Sequence, residues 1–166
     1  MIWDYRLAVA DDLAQIVAIY NSTIASRQVT ADTEPVTVAS RQAWFAAHQQ
    51  ADRPLWVVEQ AGQIIAWLSF SSFYGRPAYH GTAEVSIYLA ESARGQGLGR
   101  FLLQAAIEYS AGIGLHTLLG FIFGHNTPSI RLFETQGFIL WGHLPGVAEL
   151  DGIARDLLIM GLKIKS

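Results

Sequence analysis

Cysteine is absent from the 166 residues, which excludes disulfide frameworks, thiolate metal sites and a cysteine nucleophile. Charge is also scarce, at 15% of residues against 51% apolar. That surplus of apolar side chains points to a well-covered sheet, an apolar pocket or a subunit interface. The net charge of −3 argues against nucleic-acid and anionic-membrane partners, which select basic surfaces. No apolar run approaches the roughly 18 residues of a membrane span. The opening Met1-Ile2-Trp3-Asp4-Tyr5-Arg6 lacks a basic-then-apolar signal pattern. Repeats, low-complexity tracts and linkers are missing too. The expectation is one domain over residues 1–166, cytoplasmic, with a chain long enough to bury a full core.

What is present alternates between strand and helix signals. Residues 3–8 read as a short strand. Asp11 is positioned to cap a helix whose apolar residues Leu13, Ile16, Val17 and Tyr20 follow the i, i+3, i+4, i+7 spacing. Residues 22–35 lack periodicity, and a second helix is expected over 37–48. Strands follow at 55–59, 64–73 and 83–89, with Ala61-Gly62 as a hairpin turn. A helix opens after Gly95, Gly97 and Gly99 with the apolar stripe Leu98, Phe101, Leu102, Ala105 and Tyr109. Next come a buried strand at 117–123, a short helix from Asn126 to before Gly137, and strands at 138–143 and 156–164. This order, β-α-α-β-β-β-α-β-α-β-β, is an α+β plan. A single βαβ crossover over 83–123 makes one strand pair parallel.

The segment Arg94-Gly95-Gln96-Gly97-Leu98-Gly99-Arg100 lies between a strand and a helix. Glycines let a backbone turn tightly and approach a ligand. The first-turn amides of the helix lack intrahelical partners, and the helix dipole adds positive potential, so the pair forms an anion site. Arg94 and Arg100 can add charge-assisted contacts. A P-loop would need a Lys-Ser or Lys-Thr after its last glycine. A dinucleotide fold would need G-x-G-x-x-G after its first strand and a repeated βαβ array. Neither is present. The loop alone supports a phosphate-bearing ligand or a plain glycine-rich turn.

Arg94-x-x-Gly97-x-Gly99, followed by Asn126, Ser129 and Gly137-Phe138, resembles the fingerprint of the GNAT acetyltransferase superfamily. Ile19-Tyr20-Asn21, Thr33-Glu34-Pro35, Arg41-x-x-Trp44-Phe45, Thr82-Ala83-Glu84 and Ser86-Ile87-Tyr88-Leu89 extend the resemblance to the phosphinothricin and methionine-sulfone acetyltransferase branch. The resemblance implies a central mixed, mostly antiparallel sheet flanked by helices, acetyl-CoA as acyl donor, no metal, and a homodimer. It implies that Ile87, Tyr88 and Leu89 offer backbone groups to the pantetheine arm. It further implies that Arg94, Gly95, Gln96, Gly97, Leu98, Gly99 and Arg100 hold the pyrophosphate, with Asn126 and Ser129 close to the pantetheine.

An amine attacks a thioester as the free base, and an α-amine with a pKa of about 8 is partly neutral near pH 7. The base therefore has a modest task. Glu84 is the candidate by its match to the branch, and partial burial would raise its pKa toward the useful range. It could instead bind the substrate ammonium. A backbone amide near Tyr88 or Leu89 is the expected oxyanion donor, an interaction of about 3 kcal/mol in transition states of this kind. Many members protonate the leaving thiolate with a Tyr, others of this branch with a His, at a position that is Phe133 here. Water or another side chain must then supply that proton, or the thiolate leaves unprotonated.

Tyr20, Arg76 and Tyr79 are further candidates to face the acceptor. Trp44 and Phe45 are adjacent, so at most one of them faces a pocket. The histidines lack a metal-ligand spacing, and Gly120 inside a strand marks a bulge or a close ligand approach. Ala31, Leu150 and Ala154 depart from the aromatic, Lys and Trp that the branch carries there. The expected acceptor is a small amine, amino-acid-like at most, rather than phosphinothricin itself. Two alternatives stand beside it: transfer to a protein amine, and a non-catalytic acyl-CoA-binding module.

Overall fold

In the computed structural model, which describes residues 3–165, a two-residue strand β1 (Arg6–Leu7) leads through a 3-10 turn into helix α1 (Leu13–Ser22). The capping carboxylate is Asp12, not Asp11. Its Oδ2 accepts the backbone N–H of Val9 at 2.8 Å, and Arg6 donates two hydrogen bonds to it. The shift of one residue arises because residues 10–12 wind as a 3-10 turn before the α-helix begins. These bonds hold the buried Asp12 carboxyl below the usual carboxylate range, with Arg6 as the main cause.

The expected second helix starts late. Thr37 and Ser40 exchange side-chain and backbone hydrogen bonds as a capping box, Ala39–Arg41 is again 3-10, and α2 spans only Gln42–Ala47. After β2 (Gln49–Gln50) come β3 (Arg53–Gln60), β4 (Gln63–Ser72) and β5 (Thr82–Leu89). Helix α3 (Leu98–Ser110), β6 (Thr117–Phe123), α4 (Thr127–Thr135), β7 (Ile139–Leu150) and β8 (Ile153–Lys163) complete the chain. The sheet runs β1-β3-β4-β5-β6-β8-β7, with β2 paired to β3 off that path. Every pairing is antiparallel except β5 with β6, which α3 connects. This is the mixed, mostly antiparallel sheet, with one parallel pair, that the resemblance implies.

Both faces of the sheet centre are covered, which explains the near-continuous apolar strands. On one face Trp56, Leu68, Phe70 and Val85 pack with Leu98, Leu102 and Leu103 of α3. On the other, Leu55, Val57 and Trp67 pack with Ile16 and Val17 of α1 and Phe45 of α2. The fold also corrects the C-terminal region. The sequence suggests two separate strands around a loop at 144–155, whereas β7 and β8 form one long hairpin closed by Asp151-Gly152. Both turn residues have positive φ (54° and 79°), the combination that suits a two-residue hairpin turn. Leu150 is therefore buried in the hairpin rather than set in a loop. Strand β7 lies at the sheet edge and leaves Ile139, Leu140, Trp141, Leu144 and Val147 exposed. Among the described residues, no helix is long and apolar enough to cross a membrane.

Candidate active site

Strands β5 and β6 pair only at Thr82↔Thr117, Ala83↔Leu118 and Glu84↔Leu119. Beyond Glu84 they part, although β5 stays paired to β4 as far as Leu89. On its β6 side, the second half of β5 therefore carries backbone donors and acceptors that no strand satisfies. The gap is a cleft of about 410 Å³ between Val85–Leu89 on one wall and Phe121 and Ile122 on the other. An extended amide-bearing ligand can pair with the free β5 edge as an added strand would.

One end of the cleft is the glycine segment. Gly95 and Gly97 have φ of +72° and +87°, a conformation that side-chain-bearing residues rarely adopt. Gly97 is the N-cap of α3, and its carbonyl accepts the first helical bond, from the Phe101 N–H at 3.0 Å. The amides ahead of Phe101 thus stay free at the positive end of the helix, and Arg94 and Arg100 line the same end. Gly99 has a different task. A Cβ there would lie 3.2 Å from Leu132 Cδ2, so its lack of a side chain lets α3 and α4 approach closely. A bent backbone cradle, two arginines and a free strand edge together fit a pyrophosphate joined to a pantetheine arm.

Ten of the twelve residues expected at the cosubstrate meet here: Ile87, Tyr88, Leu89, Arg94, Gly95, Gly97, Gly99, Arg100, Asn126 and Ser129 all line the cleft. The side chains of Gln96 and Leu98 do not. Gln96 donates to the Ser92 carbonyl at 3.0 Å, and Leu98 is sealed in the core. Asn126 caps α4 by accepting the Ser129 N–H at 3.3 Å. Thr23, Ser26 and Gln28 also line the cleft. Sequence reasoning missed them because they belong to the aperiodic stretch after α1, where neither spacing nor composition marks a ligand contact.

Glu84 sits at the apex, the last residue at which β5 and β6 pair. Burial raises its carboxyl pKa above the ordinary carboxylate value. Its cross-strand neighbour on β4 is Ser71. Alternation along β5 turns Glu84, Ser86 and Tyr88 to the α1 and α2 side, where a second cavity of about 200 Å³ opens. Tyr20, Trp44, Trp67 and Tyr88 supply its aromatic wall, and Arg41, Ser69, Ser71 and Ser86 its polar groups. Tyr88 stacks on Trp67 with ring centroids 4.4 Å apart, and its hydroxyl pKa is raised, chiefly by burial. The Tyr20 hydroxyl bonds Thr30 and Asp32, and Arg41 lies over the Tyr20 ring while pairing with Asp32 at 3.2 Å. Trp44 faces this cavity and Phe45 the core. Ser86 and Tyr88 line both spaces, so the two cavities adjoin at β5.

Arg76 and Tyr79 are not part of either cavity. They line a third, open space of about 310 Å³ with Ser72 and His80, just past the end of β4. Phe133 is buried, reaches the cleft with one side and packs against Phe138 with the other. Gly120 marks no bulge: β6 pairs with β8 without a register shift through it, and it makes room for the Phe133 ring. No cluster of three or more potential metal ligands occurs among the described residues.

The acetyltransferase (GNAT) family pattern matches residues 16–138. YwnH of Bacillus subtilis (strain 168) is 56% identical over 160 residues, 96% of this chain and 98% of that one. The L-methionine sulfoximine/L-methionine sulfone acetyltransferase of Pseudomonas paraeruginosa (strain DSM 24068 / PA7) is 36% identical over 160 residues, 96% of this chain and 93% of its own. Among solved structures, a GNAT superfamily phosphinothricin acetyltransferase (Pat) from Sinorhizobium meliloti in complex with AcCoA superposes with a TM-score of 0.92 at 29% identity, covering 99% of this chain and 89% of that one. Shared along nearly the whole length, and joined to a cleft that ends in a glycine cradle, these similarities show that the chain belongs to the acetyltransferase (GNAT) family, in its phosphinothricin/methionine-sulfone acetyltransferase-like branch, and is an acetyl-CoA-dependent N-acetyltransferase.

Proposed function

We propose that the acyl acceptor is a small primary amine, amino-acid-like at most, held in the second cavity, and that Glu84 is its base. One observation carries this reading. Glu84 is the last residue at which β5 and β6 pair, one step before Val85 and Ser86 of the cleft wall and directly across from Ser71 of the second cavity, although Glu84 itself lines neither space. Burial is the named cause of its raised pKa, which moves a carboxylate toward the value a base needs near neutrality. A volume of about 200 Å³ suits a small molecule better than a peptide chain. The acceptor named for the Pseudomonas paraeruginosa relative, an amino-acid derivative, agrees with that size.

Acetyl-CoA supplies an acyl group activated as a thioester. The amine nitrogen forms a bond to the carbonyl carbon, the carbon–sulfur bond breaks, and Glu84 takes the proton from nitrogen. Residues 94–100 hold the pyrophosphate through the α3 amides and the two arginines. The open edge of Ile87–Leu89 holds the pantetheine amides and donates to the oxyanion. Asn126 and Ser129 border the arm from α4. Tyr20 closes the acceptor cavity, and Arg76 and Tyr79 stand outside it. The buried Phe133 offers no proton, so the thiolate departs as such or takes its proton from water. The exposed apolar edge of β7 is proposed as the contact of a homodimer.

An amine panel with free-thiol detection tests the assignment, beginning with amino acids and their sulfone, sulfoximine and phosphinate analogues. Turnover should be found within that panel. Glu84→Gln should lower kcat by about 10²- to 10⁴-fold while acetyl-CoA binding persists. Full turnover by Glu84→Gln would remove the base role.

A further inference from the structure

Ser71 stands across the strand from Glu84 and lines the second cavity. Its hydroxyl is within 3.0 Å of His48 Nε2, and His48 Nδ1 is 2.8 Å from the Trp44 carbonyl oxygen. A carbonyl oxygen only accepts, so Nδ1 carries the proton and donates it to Trp44. His48 is 8% exposed, and burial lowers its pKa, so the ring is neutral and Nε2 is a bare acceptor. The Ser71 hydroxyl must then donate its hydrogen to Nε2. Toward the cavity, Ser71 is left with oxygen lone pairs alone. The chain Trp44 carbonyl, His48, Ser71 thus fixes the polarity of one side chain beside the proposed base.

Cross-strand neighbours have Cβ atoms about 4.5–5.5 Å apart, close enough for Glu84 and Ser71 to share one nitrogen. A neutral primary amine has two N–H groups and one lone pair. If both N–H groups are taken by groups that can only accept, the lone pair is the one direction left and is turned out of that grip. We infer that Ser71, with its hydroxyl polarity locked by His48, is the second N–H acceptor that orients the substrate amine beside Glu84, with His48 as its positioning residue. An alcohol or a secondary amine, each with a single hydrogen to give in its neutral form, cannot satisfy both acceptors. The site would therefore favour primary amines over both. This inference rests on the proposed acetylation of a small amine in the second cavity.

The test uses the best amine of the panel. Ser71→Ala should raise KM for the amine and lower kcat/KM about tenfold to a hundredfold, as for a lost hydrogen bond to a polar substrate group. KM for acetyl-CoA should not move. Ser71→Thr, which keeps the hydroxyl, should restore most of the activity. His48→Phe keeps a ring of similar size but frees the Ser71 hydrogen, and should give a similar loss. The double variant should be no worse than Ser71→Ala alone, because His48 acts only through Ser71. Full additivity in the double variant, or an unchanged amine KM and kcat in Ser71→Ala, overturns the inference while the acetyltransfer reading stands. A wild-type protein that releases no CoASH with any primary amine overturns both.

Discussion

The Phe133 ring occupies the space that a side chain at Gly120 would need: a Cβ on Gly120 would lie 2.4 Å from Phe133 Cε2. Gly120 has ordinary strand conformation, so sterics alone forbids the larger residue. Phe133 is 5% exposed and packed against Phe138, which leaves it little freedom to withdraw. Gly120→Ala should therefore cost about 1–3 kcal/mol, as overpacking of cores does. Combined with Phe133→Ala, the cost should fall well below the sum of the two single losses. Additive losses in urea unfolding would show that the contact does not govern position 120.

The cradle gives a prediction of the opposite kind. No atom lies within 4 Å of a Cβ built on Gly97, so a side chain there meets strain from φ = +87° and not a clash. Left-handed backbone costs a non-glycine residue about 1–2 kcal/mol. Gly97→Val should keep the fold with a modestly lower Tm and lose acetyl-CoA binding by calorimetry. Binding of wild-type strength would show that the loop does not hold the cosubstrate.

Glu84 should also be visible in stability. Its folded pKa is raised by burial, so the folded state holds the proton more tightly than the unfolded state. Stability is then fully present below the ordinary carboxylate value of 4.5 and falls as pH rises through the folded value. Replacing Glu84 with Gln removes this dependence. The variant's urea midpoint should match wild type near pH 4 and exceed it at pH 8. A gap that is constant across that range would contradict the burial argument.

The edge of β7 predicts association. Ile139 is 62% exposed, with Leu140, Trp141, Leu144 and Val147 exposed on the same strand. Large apolar side chains left exposed along an edge strand mark contact sites. Sedimentation equilibrium should give the mass of two chains for wild type and of one for Ile139→Asp, with unchanged far-UV circular dichroism. A monomeric wild type would rule out the proposed pairing.

The sequence by itself determined what depends on neighbours along the chain. The strand before Arg94, the glycine segment and the amphipathic stripe after it identify the anion cradle, because a helix N-terminus is built from consecutive residues. Asn126 and Gly137 delimit α4 for the same reason. The apolar run that makes 117–123 a buried strand, and the parallel pairing with β5 through α3, were legible too. Asp151-Gly152 is the short-range mark of a hairpin turn, and it joins β7 to β8.

Tertiary structure decided everything that required two distant segments to meet. No spacing in the chain reveals that β5 and β6 stop pairing at Glu84, because that point depends on how two strands held by different neighbours diverge. Nor does any spacing reveal that Phe133 fills Gly120, that Thr23 and Ser26 reach the cleft, or that His48 reaches Ser71. Arg76 and Tyr79 are near Ser71 in sequence yet open onto a separate space, because the chain turns away after β4. The cosubstrate half of the site lies largely on one contiguous strand–loop–helix unit and could be read from the residues. The acceptor half is assembled from α1, α2, β4 and β5, so its shape and polarity exist only once those elements have packed.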